Sequence, residues 1–395
     1  MSNTQTTSHE TRASIAVLLF IIAAHIAYLL PQTGQITEVT QSYPATACPG
    51  PISDAKTTLL LPNKSSPIRE IASSRLPLRK NNQGSFIVRN GGILVAGSPS
   101  NTVVLQSRAA KWTAAATCTI SDPVVWFVGG TSNVTSQGKL VLVNSGLSDA
   151  IVDVTSFSEN GAAPVVAVTV KPSSEKTLRI DSFDPGASRV IIKVKTRSGR
   201  ITAYLLDERV KGLNNVGGDF VAPINQSSRE AIISALPVKF GNGSTVKHRL
   251  RVMTTGKVDA TASVELISPD GVIVPVGLGS ISLNPQEVRD IDISEVELGK
   301  KTFALKVISS EPIVAGVFTE VKKGNISDFM WSSASQPFGT ASFNLYGLEP
   351  RFSFVGERIQ VEISWRTNSG KTDSKSLVGQ EIVNWTAPEI GRAHV

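Results

Sequence analysis

A stretch of sequence occurs twice along this chain, and this repetition restricts the possible folds more than any other feature. Lys139–Gly161 aligns with Arg249–Gly271 at an offset of 110 residues, with matching leucine, glycine, aspartate and alanine positions. Farther on the offset becomes 113, which aligns Ile201 with Val314. One three-residue insertion between Gly271 and Pro285 explains the change. We therefore expect tandem units of similar structure.

Each unit has the pattern of β-structure. Asn160-Gly161 in the first copy and Asp270-Gly271 in the second separate two strand-like runs, and both dipeptides favour tight hairpin turns. Ser198-Gly199 predicts a second hairpin, whose counterpart turns near Glu311-Pro312. Strands spaced at about ten residues, without helical periodicity, predict an all-β chain of tandem immunoglobulin-like β-sandwich repeats. The Cys…Trp…Cys pattern of true immunoglobulin domains is absent, so only the architecture is predicted.

A third copy begins and is cut short. Ser327–Trp331 ("SDFMW") is similar to Gly218–Ala222 ("GDFVA"), and an alternating run follows from Ile359 to Trp365. The predicted parts are a cytoplasmic tail (1–12), a transmembrane signal-anchor (13–30), a stalk with a Cys-stapled N-terminal β region (31–115), β-sandwich repeat 1 (116–212), β-sandwich repeat 2 (213–326), a truncated repeat 3 (327–389) and a terminal segment (390–395).

The terminal segment is expected to be foreign to the protein. Ile390–Val395 ("IGRAHV") matches the translation of a common sequencing-adapter oligonucleotide. We therefore exclude it from the fold prediction, as one excludes a cloning scar, and His394 with it.

Ala13–Leu30 is almost wholly apolar and just long enough to span a bilayer core. The alternative is a cleavable signal peptide, but no small-x-small cleavage site follows the segment. Arg12 precedes the segment and no further cation occurs until Lys56, so the short N-terminus is expected on the cytoplasmic side. The predicted location is the plasma membrane, with a single pass and the body on the extracytoplasmic side. His25, inside the span, is best explained by packing.

The chain has two cysteines, Cys48 and Cys118, both on the predicted exported side. An oxidising compartment favours one disulfide between them. Two buried free thiols or a catalytic thiol are the alternatives, but no CxxC pattern or nearby histidine supports thiol chemistry.

No catalytic, metal or cofactor site is predicted. Of the four histidines only His248 lies in the predicted β repeats, and alternation in "VKHRLRV" places it on one strand face with Leu250 and Val252. Asp290 and Asp292 alternate with isoleucines, which is typical of a solvated strand face rather than a catalytic carboxylate pair. Neither a serine nucleophile elbow nor a zinc motif occurs.

Binding is the better functional hypothesis, because the net charge of +7 attracts anionic polymers or lipid headgroups. Predicted export argues against nucleic acid as the partner. The candidate binding surface comprises cations and two tryptophan rings that could stack on sugars: Arg79, Lys80, Lys247, Arg249, Arg251, Trp112 and Trp331.

Several motifs together resemble a known family. These are a "CPGP" cysteine motif at Cys48–Pro51, "C-x7-WFVGG" from Cys118 to Gly130, and "L-x-L-x-N-x-G" at Leu140–Gly146, all behind an N-terminal anchor. The chain resembles, over about residues 10–335, an uncharacterised family of exported, membrane-anchored actinobacterial proteins. The resemblance implies a cell-envelope setting beside a large membrane glycosyltransferase, and no activity.

We therefore expect a non-enzymatic, membrane-anchored extracytoplasmic scaffold or partner protein of cell-envelope assembly. The alternative is a cell-surface module that binds carbohydrate or an anionic polymer, and an exported hydrolase comes third. The expected partners are the membrane and an envelope protein or polymer.

Overall fold

The structure is a computed structural model that describes residues 45–61, 66–72, 77–96, 102–109, 111–294, 302–345, 348, 350–367 and 371–387. Throughout these residues the chain is built from strands, with a single turn of 3-10 helix at Ile180–Ser182. The all-β prediction is confirmed. The predicted tail, membrane span and stalk, His9, His25 and the segment 390–395 lie outside the described residues.

The N-terminal β region contains two sheets, which the described residues arrange in the orders β1-β6-β3-β4 and β5-β2-β7-β8. Their shared core includes Leu59, Ile93 and Val104, all fully buried. The strands are β1 (Ala45–Cys48), β2 (Lys56–Leu60), β3 (Pro67–Glu70), β4 (Arg79–Lys80), β5 (Ser85–Val88), β6 (Ile93–Ala96), β7 (Val103–Arg108) and β8 (Trp112–Thr117).

The first repeat has two further sheets, with orders β14-β10-β16-β17 and β12-β11-β15-β9, and β13 pairs with β11. Their inward side chains, among them Phe127, Leu140 and Ile192, form one core. The strands are β9 (Val124–Val128), β10 (Lys139–Asn144), β11 (Ala150–Ser158), β12 (Gly161–Ala162), β13 (Val166–Val170), β14 (Ser174–Arg179), β15 (Ile191–Ser198), β16 (Ile201–Lys211) and β17 (Asn214–Val221).

The second repeat is held together by one long strand, β24, which pairs with β18, β19, β20 and β25. Its core, which includes Leu250, Val264 and Phe303, is separate from that of the first repeat. The strands are β18 (Ser228–Leu236), β19 (Ser244–Thr254), β20 (Ala260–Ser268), β21 (Gly271–Ile273), β22 (Ile281–Leu283), β23 (Arg289–Asp292), β24 (Phe303–Lys323) and β25 (Ile326–Ser333).

Equivalent strands pair equivalently in the two repeats. Lys139 pairs with Arg179 on β14, and at offsets of 110 and 113 Arg249 pairs with Asp292 on β23. Farther along the chain, the residue equivalent to Ile201 differs from the one that the sequence alignment gives. Asn144 pairs with Ile201, whereas Thr254 pairs with Ile313, so Ile313 and not Val314 is the counterpart of Ile201.

The predicted hairpin turn at Glu311-Pro312 is wrong. In the first repeat the predicted hairpin at Ser198-Gly199 is wrong as well: Gly199 has a φ of 89°, but β15 and β16 on either side of the turn belong to different sheets and do not pair with each other. In the second repeat β24 continues from Phe303 to Lys323 through Pro312. The physical reason is that β24 changes neighbours without reversing direction, pairing with β20 before this point and with β19 after it.

The two remaining strands, β26 (Arg351–Arg366) and β27 (Thr372–Thr386), pair with each other along their length. Trp365 and Trp385 pack together on one face of this ribbon, with ring centroids 5.4 Å apart. The predicted repeat boundaries differ from the pairing. Residue 212 lies in the hairpin turn between β16 and β17, and residue 326 is the first residue of β25 after the turn from β24, so both boundaries divide paired strands.

Within the described ranges, no helix combines the length and apolar character needed to cross a bilayer.

Candidate functional site

Cys48 and Cys118 form a disulfide, as predicted. Both side chains are buried, their Cα atoms are 4.8 Å apart, and 70 positions separate them in the sequence. Ala47 and Thr119 form a β-bridge beside the bond, and Tyr204 of β16 donates its hydroxyl hydrogen to the Ala47 carbonyl. The bond therefore joins the N-terminal β region to the chain just before β9.

A buried glutamine and a half-buried glutamate hold the "CPGP" loop in place. The Gly50 N–H donates to Oε2 of Glu175 on β14 at 2.8 Å, and Nε2 of Gln106 donates to the Gly50 carbonyl at 2.7 Å. Burial raises the pKa of the Glu175 carboxyl, while the Gly50 hydrogen bond lowers it. This loop is therefore a docking contact between the N-terminal β region and the first repeat.

Trp112 does not form part of an exposed surface. The side chain is buried, and it packs with Val141, Tyr204 and Phe220 between the N-terminal β region and the first repeat. The prediction that Trp112 stacks ligands is wrong, because β8 turns this ring towards the neighbouring sheet.

Trp331, also predicted to be a binding residue, is the centre of a buried charged cluster. Its indole N–H donates to Oδ2 of Asp207 at 2.8 Å, and its backbone N–H donates to Oδ2 of Asp219 at the same distance. Arg209 donates twice to the same Asp207 oxygen, at 2.7 and 3.0 Å. We call Asp207, Arg209, Asp219, Arg251 and Trp331 the Trp331 junction.

Arg251 brings the second repeat into this junction. Its guanidinium lies 5.0 Å from the Trp331 ring centroid. Nη1 donates to the carbonyls of Gly130 at 2.6 Å and Val190 at 3.0 Å, both in the first repeat. Two more bonds reach Asp290. Arg251 was predicted on an exposed basic face, but it is 3% exposed because the first repeat packs over it.

The "WFVGG" motif lies at the same junction. A Cβ on Gly129 would stand 2.6 Å from Val221 and 3.0 Å from the Trp331 ring, so only glycine admits this contact. Gly130 has a φ of 97°, which favours glycine, and presents its carbonyl to Arg251. The two glycines of the motif therefore allow the first and second repeats to pack closely together.

The two carboxyl groups of the junction lie on directly paired positions of β16 and β17. Burial, together with the charges of Asp328 and Asp207, raises the pKa of Asp219 to about 7, although two backbone hydrogen bonds lower it. Oδ1 of Asp207 is buried without a hydrogen-bond partner among the described residues. The cluster therefore brings together two acids and two guanidinium groups, of which Asp207 and Arg251 are buried and Asp219 and Arg209 are half-buried.

The other two cations on the predicted basic face of β19 lie close to carboxylates. Lys247 and Arg249 are exposed on β19, and Arg249 pairs across the sheet with Asp292 of β23. The pKa of Asp292 is lowered by its hydrogen bonds to Ser294, and Arg249 and Lys247 lower it further. This face therefore presents paired charges rather than a net positive surface.

His248 is buried and fully hydrogen-bonded. Nδ1 lies 2.9 Å from the Thr319 hydroxyl, Nε2 lies 2.9 Å from the Pro237 carbonyl, and the ring meets Phe303 edge-on. Nε2 can only donate to a carbonyl and therefore carries a proton, and in the neutral ring Nδ1 accepts from the Thr319 hydroxyl. Burial lowers the pKa of this imidazole. The contacts are those of a core residue.

Arg79 and Lys80 are exposed on β4, at the end of the sheet β1-β6-β3-β4. Neither pairs with a carboxylate of the described residues. Of the predicted binding residues, these two remain available to a partner.

A shallow cavity of about 270 Å³ is lined by residues 121–123 and 196–199, among them Asp122, Thr196 and Arg197. Burial raises the pKa of Asp122, and Asn225 donates to its carboxylate at 2.8 Å. No group of three metal-ligating side chains occurs within the residues searched. The cavity resembles a surface depression more than a cleft that encloses a substrate.

Sequence reasoning missed most of the Trp331 junction. Asp207, Glu208 and Arg209 interrupt an otherwise apolar strand, "ITAYLLDERV", and all three are largely buried. Consecutive charges inside an apolar strand were the available signal, because such groups enter a core only when they are paired.

Comparison with known proteins gives a family but no activity. A solved structure from Thermotoga maritima, described as the crystal structure of Thermotoga maritima 1070, is similar over 29% of this chain and 98% of its own, at 14% identity. Its TM-score of 0.24 supports no statement about fold or function. No curated protein matches the chain. The family of unknown function DUF5719 matches residues 91–377, which include both repeats and the Trp331 junction, and the chain belongs to this family.

Proposed function

We propose that this protein is a non-enzymatic, membrane-anchored scaffold of cell-envelope assembly, built on two immunoglobulin-like β-sandwich repeats. One observation carries the proposal: the buried ionisable groups serve contacts between β regions. Arg251 bridges the two repeats, and Glu175 holds the N-terminal β region on the first repeat. In an enzyme, strongly perturbed groups are expected to line a cleft.

These contacts make the arrangement of the β units rigid. The disulfide, the Gly50–Glu175 hydrogen bond and the hydrogen bonds from Arg251 to Gly130 and Val190 each join segments far apart in sequence. Such joints fix the relative orientation of successive β units, which suits a protein whose surfaces must be held at set positions for partners.

The sequence supports the location. Ala13–Leu30 has the length and composition of a membrane span, and the disulfide fits an oxidising compartment outside the cytoplasm. The resemblance to membrane-anchored actinobacterial proteins supports an envelope setting and a membrane-protein partner.

Cross-linking tests the scaffold proposal. We expect full-length protein, cross-linked in membranes of its host and purified under denaturing conditions, to retain one or a few membrane proteins. The variant Arg251→Met, which removes the hydrogen bonds between the repeats, is expected to capture less of these membrane proteins. Arg249→Met serves as the matched surface control. Capture of no protein, together with turnover of a glycan, peptide or ester substrate, would make the protein an enzyme instead.

A second candidate function is binding of carbohydrate or anionic polymer at the cell surface. The exposed, unpaired cations Arg79 and Lys80 favour it. The burial of Trp112 and Trp331 removes the rings proposed for sugar stacking. Retention of purified envelope polymer by the protein, lost at raised salt, would support this function.

A further inference from the structure

The positive charge of the chain is concentrated in the N-terminal β region. Residues 45–117 contain nine lysines and arginines but only two carboxylates, Asp54 and Glu70. The excess of seven equals the net charge of the whole protein, which is +7. One part of the molecule therefore attracts anions while the rest is close to neutral.

The outer face of the sheet β5-β2-β7-β8 presents part of this charge. Val88 pairs with Thr57 and both point inward, with exposures of 3% and 1%. Their neighbours Arg89 and Lys56 are exposed, and alternation places them on the opposite, outer face. Ile87 lies on the same face and is 56% exposed.

A second group of cations lies next to this face along the chain. Leu78, Arg79 and Lys80 are exposed, and only Asn81–Gly84 separates them from β5. We call Lys56, Leu78, Arg79, Lys80, Ile87 and Arg89 the basic face.

Neither carboxylate of this region neutralises the basic face. Asp54 lies near Lys139 of the first repeat, where it raises the pKa of that ammonium group against the stronger lowering by burial. Glu70 is on β3, beside β4, but it lies two positions beyond Ile68, the partner of Arg79, and it forms no salt bridge with Arg79 or Lys80 within the described residues. Leu345 packs against Leu60 and Val103 at one end of the sheet and leaves Ile87 and Lys56 exposed.

We propose that the basic face rests on the anionic lipid headgroups of the membrane that holds Ala13–Leu30, which presupposes the membrane anchor of the proposed function. Exposed leucine and isoleucine beside cations suit the boundary between headgroups and acyl chains, whereas a soluble polyanion gains nothing from them. This combination favours a lipid surface over a polymer.

The chain length allows this contact. Fifteen residues lead from Leu30 to Ala45, which at about 3.5 Å per residue reach no farther than about 50 Å. A tether of this length keeps the basic face at a high effective concentration near the bilayer, so modest attraction is sufficient for contact.

Fluorescence quenching in vesicles tests the proposal. The full-length protein would carry an environment-sensitive dye on Asn82→Cys, at an exposed position between the cations, in vesicles of brominated phosphatidylcholine. We expect strong quenching when the vesicles include about 30% phosphatidylglycerol, and little without it. The double variant Arg79→Gln/Lys80→Gln should lower the ratio of docked to free protein by roughly fivefold per cation.

The pair Lys247→Gln/Arg249→Gln provides the matched control, since it removes two exposed cations from the second repeat and should leave quenching unchanged. Equal quenching in neutral and anionic vesicles, or none in either, would overturn the proposal. A dye response to soluble polyphosphate without one to anionic vesicles would do the same and favour the polymer.

Failure of the anchor is measured separately. A protein that does not float with neutral vesicles has no membrane span, which contradicts the proposed function. In that case the proposal for the basic face requires that the unaltered protein float with anionic vesicles and that Arg79→Gln/Lys80→Gln not float with them. Any other result would mean that the basic face does not bind lipid.

Discussion

Asp219 shows how a single carboxyl group can link the junction to pH. It lies opposite Asp207, and its oxygens accept hydrogen bonds from the Trp331 and Phe220 backbones. Burial and the charges of Asp328 and Asp207 raise its pKa to about 7 although these bonds lower it. The guanidinium of Arg209 pairs with Asp207 rather than with Asp219.

The sign of the pH effect follows from this pKa. Between its ordinary value of 3.8 and about 7, folded Asp219 holds a proton that the unfolded chain has released. We therefore expect Asp219 to lower the free energy of unfolding as pH rises through this window, and to have no further effect above it. Asp219→Asn should flatten the profile measured by urea unfolding. A parallel profile in the variant would show that other groups titrate.

His248 gives a second prediction at this scale. His248→Ala leaves the Thr319 hydroxyl and the Pro237 carbonyl without their partners and creates a cavity beside Phe303. We expect a loss of about 2–4 kcal/mol in the free energy of unfolding, with partner capture unchanged in the folded fraction. Lys247→Ala, one residue away and exposed, should cost less than about 0.5 kcal/mol. Loss of capture by folded His248→Ala would give the imidazole a functional role.

Alternation along β19 predicted these residues only in part. It placed His248 with Leu250 and Val252, and all three are buried. It also placed Arg251 on the solvent face, whereas that face is covered by the first repeat. Periodicity indicates which side of its own strand a residue occupies. It does not indicate whether another part of the chain packs against that side.

Among the elements, β24 departs most from its counterpart in the first repeat. Pro312 was expected to end a strand, but a proline breaks a strand only where its missing N–H is needed. At this point β24 changes from β20 to β19, and the Pro312 carbonyl accepts the Thr255 N–H. The repeat alignment matched equivalent residues before this point, and it missed the one-residue shift after it.

The disulfide gives the prediction at this scale. Replacing both Cys48 and Cys118 by alanine opens a loop with a sequence separation of 70. The chain-entropy argument gives a loss of about 4 kcal/mol. Relative to the unaltered protein, we expect amide exchange measured by mass spectrometry to become faster in β1–β8 than it does in β18–β25. Reduction of the unaltered protein should reproduce this pattern; uniform exchange across both regions would contradict it.

At the scale of the whole molecule, the described β units are joined by polar contacts as well as apolar packing. A separate apolar cluster, including Trp126, Val128 and Met253, lies between the repeats. The Trp331 junction adds the hydrogen bonds that fix their orientation. The sequence predicted two repeats but not this interface, since contacts such as Trp331–Asp207 and Arg251–Gly130 join residues more than a hundred positions apart.

We expect the repeats to unfold together because of this interface. Arg251→Met removes the bonds to Gly130 and Val190 and leaves Asp290 without its buried partner. Breaking such a pair costs about 3–5 kcal/mol. Scanning calorimetry should show one transition for the unaltered protein and two for the variant. Arg249→Met is the control; a single transition in all three proteins would mean that apolar packing alone couples the repeats.

The position of the disulfide also decides where a mechanical load would travel. A pull from an N-terminal anchor reaches Cys48, crosses the sulfur–sulfur bond to Cys118 and enters β9 a few residues later. Residues 49–117 lie on a covalent side branch that carries none of this tension. The sheets that bear the basic face would therefore keep their shape under stretching, and strain would fall on the two repeats.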